Sequence, residues 1–242
     1  MNNVLLFVII SVVSGIIAGE ILSVVNYFVV EPTTDRAIGY ETQRDILKGE
    51  PVNLNQIHDY RIWQKSGTFV AGAFIGIAYG SLLGIAYAFS RKYLPFTDER
   101  KKAILLAALL YLAIYLVPFS KYPANPPSVG DPDTITLRDH LYATYQIASV
   151  TIAVIMGVLF FKYRYISTIK FIVPAIYVLL IASIYFLWAP NPDKIMTPMD
   201  TVNTFRALSG ITQILFFLLI GVFFGILWNK FKPHEPAKVT TV

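Results

Sequence analysis

The sequence predicts an all-α fold, a polytopic integral membrane helical bundle of about six transmembrane helices with both termini cytoplasmic. Three observations predict it. The 242 residues are 55% hydrophobic and only 14% charged, against roughly 25% charged in a soluble domain, and the mean hydropathy is +0.58. The apolar residues gather into runs of about 17 to 29, each long enough to cross the hydrocarbon layer as a helix. Lysine and arginine concentrate on the connectors at one end of those runs.

The runs are residues 2–30, 67–89, 103–119, 141–161, 171–188 and 207–228, read as one transmembrane domain over residues 1–232. The first has no basic leader and no small-residue cleavage site, so it is retained as a span. Between it and the second lies the longest connector, Glu31–Ser66, whose second half spaces Leu54, Ile57, Tyr60 and Trp63 at three-residue intervals and predicts a short amphipathic helix on the membrane surface. Thr97 or Asp98 is placed to cap the third span. The third and fifth runs are the shortest. Tyr27, Tyr93, Tyr163, Tyr165, Trp188 and Trp228 stand at run ends, where amphipathic rings favour the headgroup level. Residues 233–242 are polar and read as a disordered tail.

The third and fourth spans are joined by Lys121-Tyr-Pro-Ala-Asn-Pro-Pro-Ser-Val-Gly-Asp-Pro-Asp-Thr134, an acidic stretch with four prolines. Each proline fixes φ and restricts the residue before it, so the loop is neither helix nor slack tether but a shaped lid. Beyond it, Thr136-x-x-Asp139 fits a capping box for the fourth helix.

With both termini inside, the connectors 90–102, 162–170 and 229–242 hold 11 basic and 3 acidic residues, and the longer loops on the other side hold 9 basic and 11 acidic. The formal charge of +5 is therefore a topology signal. No basic and aromatic pattern for nucleic acid is present. The absence of cysteine excludes disulfides, thiolate metal ligands and iron–sulfur attachment.

Four glycines, Gly72, Gly76, Gly80 and Gly84, recur every fourth residue, with Gly15/Gly19 and Gly221/Gly225 in other spans. Small residues at this spacing let helix backbones approach closely. Glu20 is the one acidic residue inside an apolar run, and a carboxylate in hydrocarbon costs about 3 kcal/mol unless protein or water receives it. It is the candidate for ion or proton handling, the alternative being a protonated or hydrogen-bonded packing role. Asp131, Asp133, Asp139 and His140 offer oxygen and imidazole ligands to a divalent ion, although turns and the capping box also account for the aspartates. The Asp131-x-Asp133 pair lacks the remaining ligands of a calcium loop. His58 and His234 stand alone and read as solvated. No nucleotide, hydrolase or zinc-protease motif occurs, so the chain does not read as an enzyme.

The proline loop, followed by Ile135, Arg138 and Tyr142, resembles the signature loop of the CbtA family of predicted cobalt transporter membrane subunits. The likeness extends to Glu31-Pro32…Asp35-Arg36-Ala37-Ile38…Glu41, to Tyr79-Gly80, and to Phe205-Arg206…Ser209…Gln213…Gly221…Phe224-Gly225. It implies a multi-pass protein of the cell membrane that takes up Co²⁺ or another divalent cation for cobalamin biosynthesis, with no permanently bound cofactor. It also implies, beside membrane lipid, a small single-span companion subunit of the CbtB type. The chain departs from the family pattern at the outer end of the fifth span, where Leu187-Trp188-Ala189-Pro190 stands in place of a histidine. The expected metal contacts are Glu20, Asp131, Asp133 and His140. The competing expectation is a non-transporting scaffold of a larger membrane complex, with the glycine seams and the proline loop docking its neighbours.

Overall fold

A computed structural model of the chain describes residues 3–127 and 129–235; the predicted disorder of the tail falls beyond them from residue 236 on, as does residue 2. Eight α-helices are formed: α1 Asn3–Val29, α2 Glu31–Leu47, α3 Leu54–Ser90, α4 Glu99–Leu110, α5 Val117–Lys121, α6 Ile135–Tyr163, α7 Ile169–Leu187 and α8 Met199–Phe231. A π-helical segment, Tyr111–Leu116, joins α4 to α5 in one continuous span. Among the described residues six helical stretches are long and apolar enough to cross a membrane, and each overlaps one of the six apolar runs. The chain is a multi-pass membrane protein.

Both ends of the described chain meet at one end of the bundle, where Asn3 Nδ2 donates to the Glu235 carbonyl at 3.0 Å. We call this the terminal end, and the opposite end the loop end.

The helices run further than the apolar runs because polar residues sustain a helix in water as well as apolar ones do in lipid. The clearest case is α3. The amphipathic stretch from Leu54 does not lie apart on a surface; it is the first third of one unbroken 37-residue helix, about 55 Å at 1.5 Å per residue. Asn53 starts it, its side chain accepting the Gln56 amide at 3.1 Å. α2 has no counterpart in the sequence reading. Pro32 lacks the amide that would continue α1, yet proline is at home in a first turn, so α1 breaks at Val30 and a second helix starts at once.

Asp98 is the cap of α4, accepting the Arg100 amide at 2.8 Å. The predicted capping box at Thr136 is not formed. Pro132 opens a 3₁₀ turn over Pro132–Thr134 that runs straight into α6 at Ile135, and Asp131 caps that turn through the Asp133 amide at 3.0 Å. Thr136 therefore falls inside the helix.

The core joins α1, α3, α4 and α8 around Ile10, Leu83, Tyr87, Leu106, Phe216, Phe224 and Trp228. Trp228 is 4% exposed, packed on Phe224 and Tyr87. The glycines form the α1–α3 contact. A Cβ on Gly15 would lie 1.9 Å from the Gly76 carbonyl oxygen, and one on Gly19 would lie 2.1 Å from that of Gly72. Gly221 and Gly225 meet α4 at Ala107 and Arg100 in the same way. These seams are closed within the chain, so they are not free to dock another subunit.

α6 and α7 form a peripheral pair. α7 packs on α6 and buries only Val173 along its length. α6 is joined to the core side through the π segment. There Val117 N–H reaches back to Leu112 O in the π register, but the next residue, Pro118, has no N–H for Ala113 O. That carbonyl accepts Ser149 Oγ at 2.7 Å instead, and its neighbour Ile114 O accepts Gln146 Nε2 at 2.9 Å.

Candidate functional site

The proline loop is fastened across the loop end. Gly130, at φ +99°, adopts a backbone that L side chains rarely take. Its bare Cα also makes room for Asp193, since a Cβ there would lie 2.1 Å from Asp193 Oδ2. Asp193, its side chain only 2% exposed, pairs with Arg138 Nε at 2.8 Å and accepts the Thr134 hydroxyl at 2.5 Å. Arg138 also donates to the Asp131 carbonyl at 3.2 Å. Lys121 Nζ donates to Tyr185 O at 2.7 Å, and the Tyr122 hydroxyl donates to Ala189 O. Arg206 Nη2 and Nε hold Asn125 Oδ1 at 2.7 and 3.2 Å. Asp193 and Arg206, the two clamps from the far side, had no local motif to mark them.

Beneath this lid lies a cavity of about 690 Å³. Tyr115, Phe119, Tyr122, Tyr142 and Phe205 supply aromatic walls, and Pro123, Pro126 and Pro127 of the loop also line it. Asp139 is on its lining. Glu20 is not.

Asp131, Asp133, Asp139 and His140 are all exposed. Asp131 is engaged in the turn that starts α6. Among the described residues no group of three His, Asp or Glu side chains comes together to hold a metal ion. Glu20 stands apart from these loop residues, on α1. It is partly buried, on the helix face carrying the exposed Val13, Ile17 and Val24, and makes no hydrogen bond or ion pair with any described residue.

Two ionic clusters were missed in the sequence. At the loop end Arg61, 9% exposed, reaches from α3 to α2, where Nε and Nη2 donate to Asp35 Oδ1 at 3.1 and 3.0 Å and Nη2 also donates to Glu31. Lys65 Nζ adds a 2.7 Å bond to Asp35 Oδ2. Burial raises the Asp35 pKa, but the hydrogen bonds and charges of Lys65 and Arg61 outweigh it and hold the carboxyl below its ordinary range. The signal was present as Glu31 and Asp35 at one helical turn's spacing, facing Arg61 and Lys65 at the same spacing.

At the terminal end Glu99 receives Arg91 in bidentate fashion, at 2.8 and 2.6 Å, together with Lys102 Nζ at 3.2 Å and the Tyr87 hydroxyl. His234, read from sequence as solitary, stacks on Trp228 with ring planes 6° apart and sets Nε2 3.0 Å from Arg91 Nη2. Arginine has only donors, so this nitrogen accepts, which the neutral ring alone can do. Burial and then the charge of Arg91 lower the His234 pKa in the same direction. His58 is exposed on α3, as expected of a solvated residue.

A protein-family model described as "Probable cobalt transporter subunit (CbtA)" matches residues 5–229. No curated protein and no solved structure matches the chain.

Proposed function

The chain belongs to the CbtA family, and from that premise we propose that it is the membrane-embedded subunit of a divalent-cation uptake system with cobalt as its cargo, serving cobalamin biosynthesis in the cell membrane. The observation that carries the mechanism is Glu20, a carboxylate inside the α1 span with no partner among the described residues. A carboxylate in that position gains stabilisation from a cation, a proton or a donor brought to it, and such residues mark ion paths.

In this reading both termini are cytoplasmic and the loop end faces outward, following the concentration of basic residues on the short connectors. Asp131, Asp133, Asp139 and His140 then form an acidic and imidazole-bearing approach rather than a closed coordination shell. The chain works as a transporter subunit and not as an enzyme. It has no nucleotide-binding motif, so energy comes from an ion gradient or a partner, and a small single-span companion of the CbtB type is the expected one.

The test is uptake of labelled Co²⁺ into vesicles containing this protein, alone and with the companion. Uptake above empty vesicles that falls in E20Q supports the reading. No uptake in either preparation overturns it. A non-transporting scaffold is the second reading, favoured by α7, which buries only Val173 along its length. Co-isolation with a larger assembly, together with no metal binding by calorimetry, selects it.

A further inference from the structure

The cavity beneath the proline loop has the dimensions of a small-molecule site. Its 690 Å³ lies within the roughly 300–1,000 Å³ of such pockets, and its walls combine apolar rings with a few polar groups, as theirs do. A cation site needs several oxygen acceptors converging at coordination distance. The polar side chains on this lining offer the reverse.

Asn125 Oδ1 accepts from both Nε and Nη2 of Arg206. A guanidinium only donates, so the amide is fixed with its oxygen toward Arg206 and its Nδ2 left as a donor. Asn191 is fixed likewise, its Oδ1 accepting the Asp193 amide at 3.0 Å. Arg138 is already engaged with Asp193, Asp131 O and Val129 O, and the Tyr122 hydroxyl with Ala189 O. The Tyr115 hydroxyl is buried with no partner. The uncommitted groups accessible along the lining are thus the amide Nδ2 of Asn125 and of the exposed Asn191, the hydroxyl of Tyr142, and the exposed carboxylate of Asp139, the Tyr115 hydroxyl being sealed from the cavity. Behind Asn125 stands Arg206, whose guanidinium is paired with a neutral oxygen and no carboxylate. Its positive charge lies one hydrogen bond from Asn125, while Asp139 is exposed and screened by solvent.

We propose that this cavity binds a small organic carboxylate, its apolar body between the aromatic and proline walls and its carboxylate accepting from Asn125, Asn191 and Tyr142, with Arg206 behind Asn125. The inference is independent of the cation reading, because binding is measured without metal.

The full chain in lipid nanodiscs is equilibrated with labelled benzoate, with its neutral isostere benzyl alcohol, and with CoCl₂ as a competitor. Benzoate is expected to saturate at one site and benzyl alcohol to bind about tenfold more weakly, the worth of a charge-assisted hydrogen bond. N125D keeps an oxygen on Arg206 but replaces the free donor by an acceptor, and is expected to weaken benzoate by at least about tenfold. Y142F removes one hydroxyl from a ring that stays in place, and serves as the second variant if N125D does not fold; its expected loss is several-fold. Non-saturable benzoate, equal binding of benzyl alcohol, unchanged affinity in folded N125D and in Y142F, or displacement of benzoate by Co²⁺ alone would each overturn the assignment.

Discussion

Arg138 Nε and Asp193 Oδ2 stand 2.8 Å apart and tie the start of α6 to the loop that precedes α8. The carboxylate is almost fully buried and the guanidinium is partly exposed, so the pair is anchored from the acidic side. Asp193→Asn leaves Arg138 without its counter-charge and weakens the bond from Thr134. The expected cost is about 2 kcal/mol, in the range for hydrogen bonds to charged groups. Limited proteolysis of the proline loop reads it directly: cleavage between residues 121 and 134 should accelerate in the variant while the spans stay protected. An unchanged cleavage rate would mean that the prolines alone hold the lid.

The α1–α3 seam makes a sharper packing prediction. A Cβ at Gly76 would lie 2.2 Å from the Gly15 carbonyl oxygen, against backbone that cannot rotate away. Gly76→Ala should therefore separate the helices and destabilise the protein by about 1–3 kcal/mol, the usual range for overpacking. Gly157 on α6 has nothing within 4 Å of its Cβ position, so Gly157→Ala should be neutral or slightly stabilising through helix propensity. Thermal unfolding of the two variants side by side tests the contrast. Equal midpoints would show that the seam is slack.

The Asp35 carboxyl, with Glu31, Arg61 and Lys65 about it, gives a pH dependence. Its folded pKa lies below the ordinary value, so the folded state binds fewer protons than the unfolded one as the carboxyl titrates. The contribution to stability is fully present above the ordinary carboxylate pKa of about 4 and is lost as pH falls through the lower folded value. Unfolding midpoints measured downward from pH 6 should drop more steeply in the wild type than in Asp35→Asn. Parallel curves would remove Asp35 from the account.

Membrane orientation is open to the same direct approach because the chain has no cysteine. A single cysteine at the exposed Asp133 should react with a membrane-impermeant maleimide added outside intact cells, and one at the exposed Lys101 only after permeabilisation. The opposite pattern would invert the topology inferred from the basic connectors.

The spans were legible because each is set by local composition, and the glycine seam because its four-residue spacing marks a helix face. α2 was not, since a polar helix outside the membrane carries no apolar period and is held by partners on α3. The cavity was beyond sequence reading for a related reason. Asn125 and Arg206, or Asp193 and Arg138, are joined only by the return of the chain to the loop end, and no local spacing announces them. The predicted cap at Thr136 failed because Pro132 supplies an earlier start. Glu20 was legible as an anomaly, but its position on an outward face of α1 required the packing of α3 and α8 to be known.

Pro118 and Ser149 offer the most discriminating test of the packing between α6 and the span carrying the π segment. Pro118 has no amide for Ala113 O, and Ser149 Oγ, fully buried, supplies the missing donor at 2.7 Å. Ser149→Ala alone should cost about 1 kcal/mol or more, because a buried carbonyl loses its partner. Pro118→Ala restores an N–H on the same span. In that background Ser149→Ala should cost much less, since Ala113 O can then accept from residue 118. A double-mutant cycle on apparent stability in nanodiscs isolates the coupling, expected at about 1 kcal/mol. Additive effects would mean that the carbonyl does not depend on Ser149, and that the π turn arises from side-chain packing around Tyr111 and Tyr115 rather than from the missing amide.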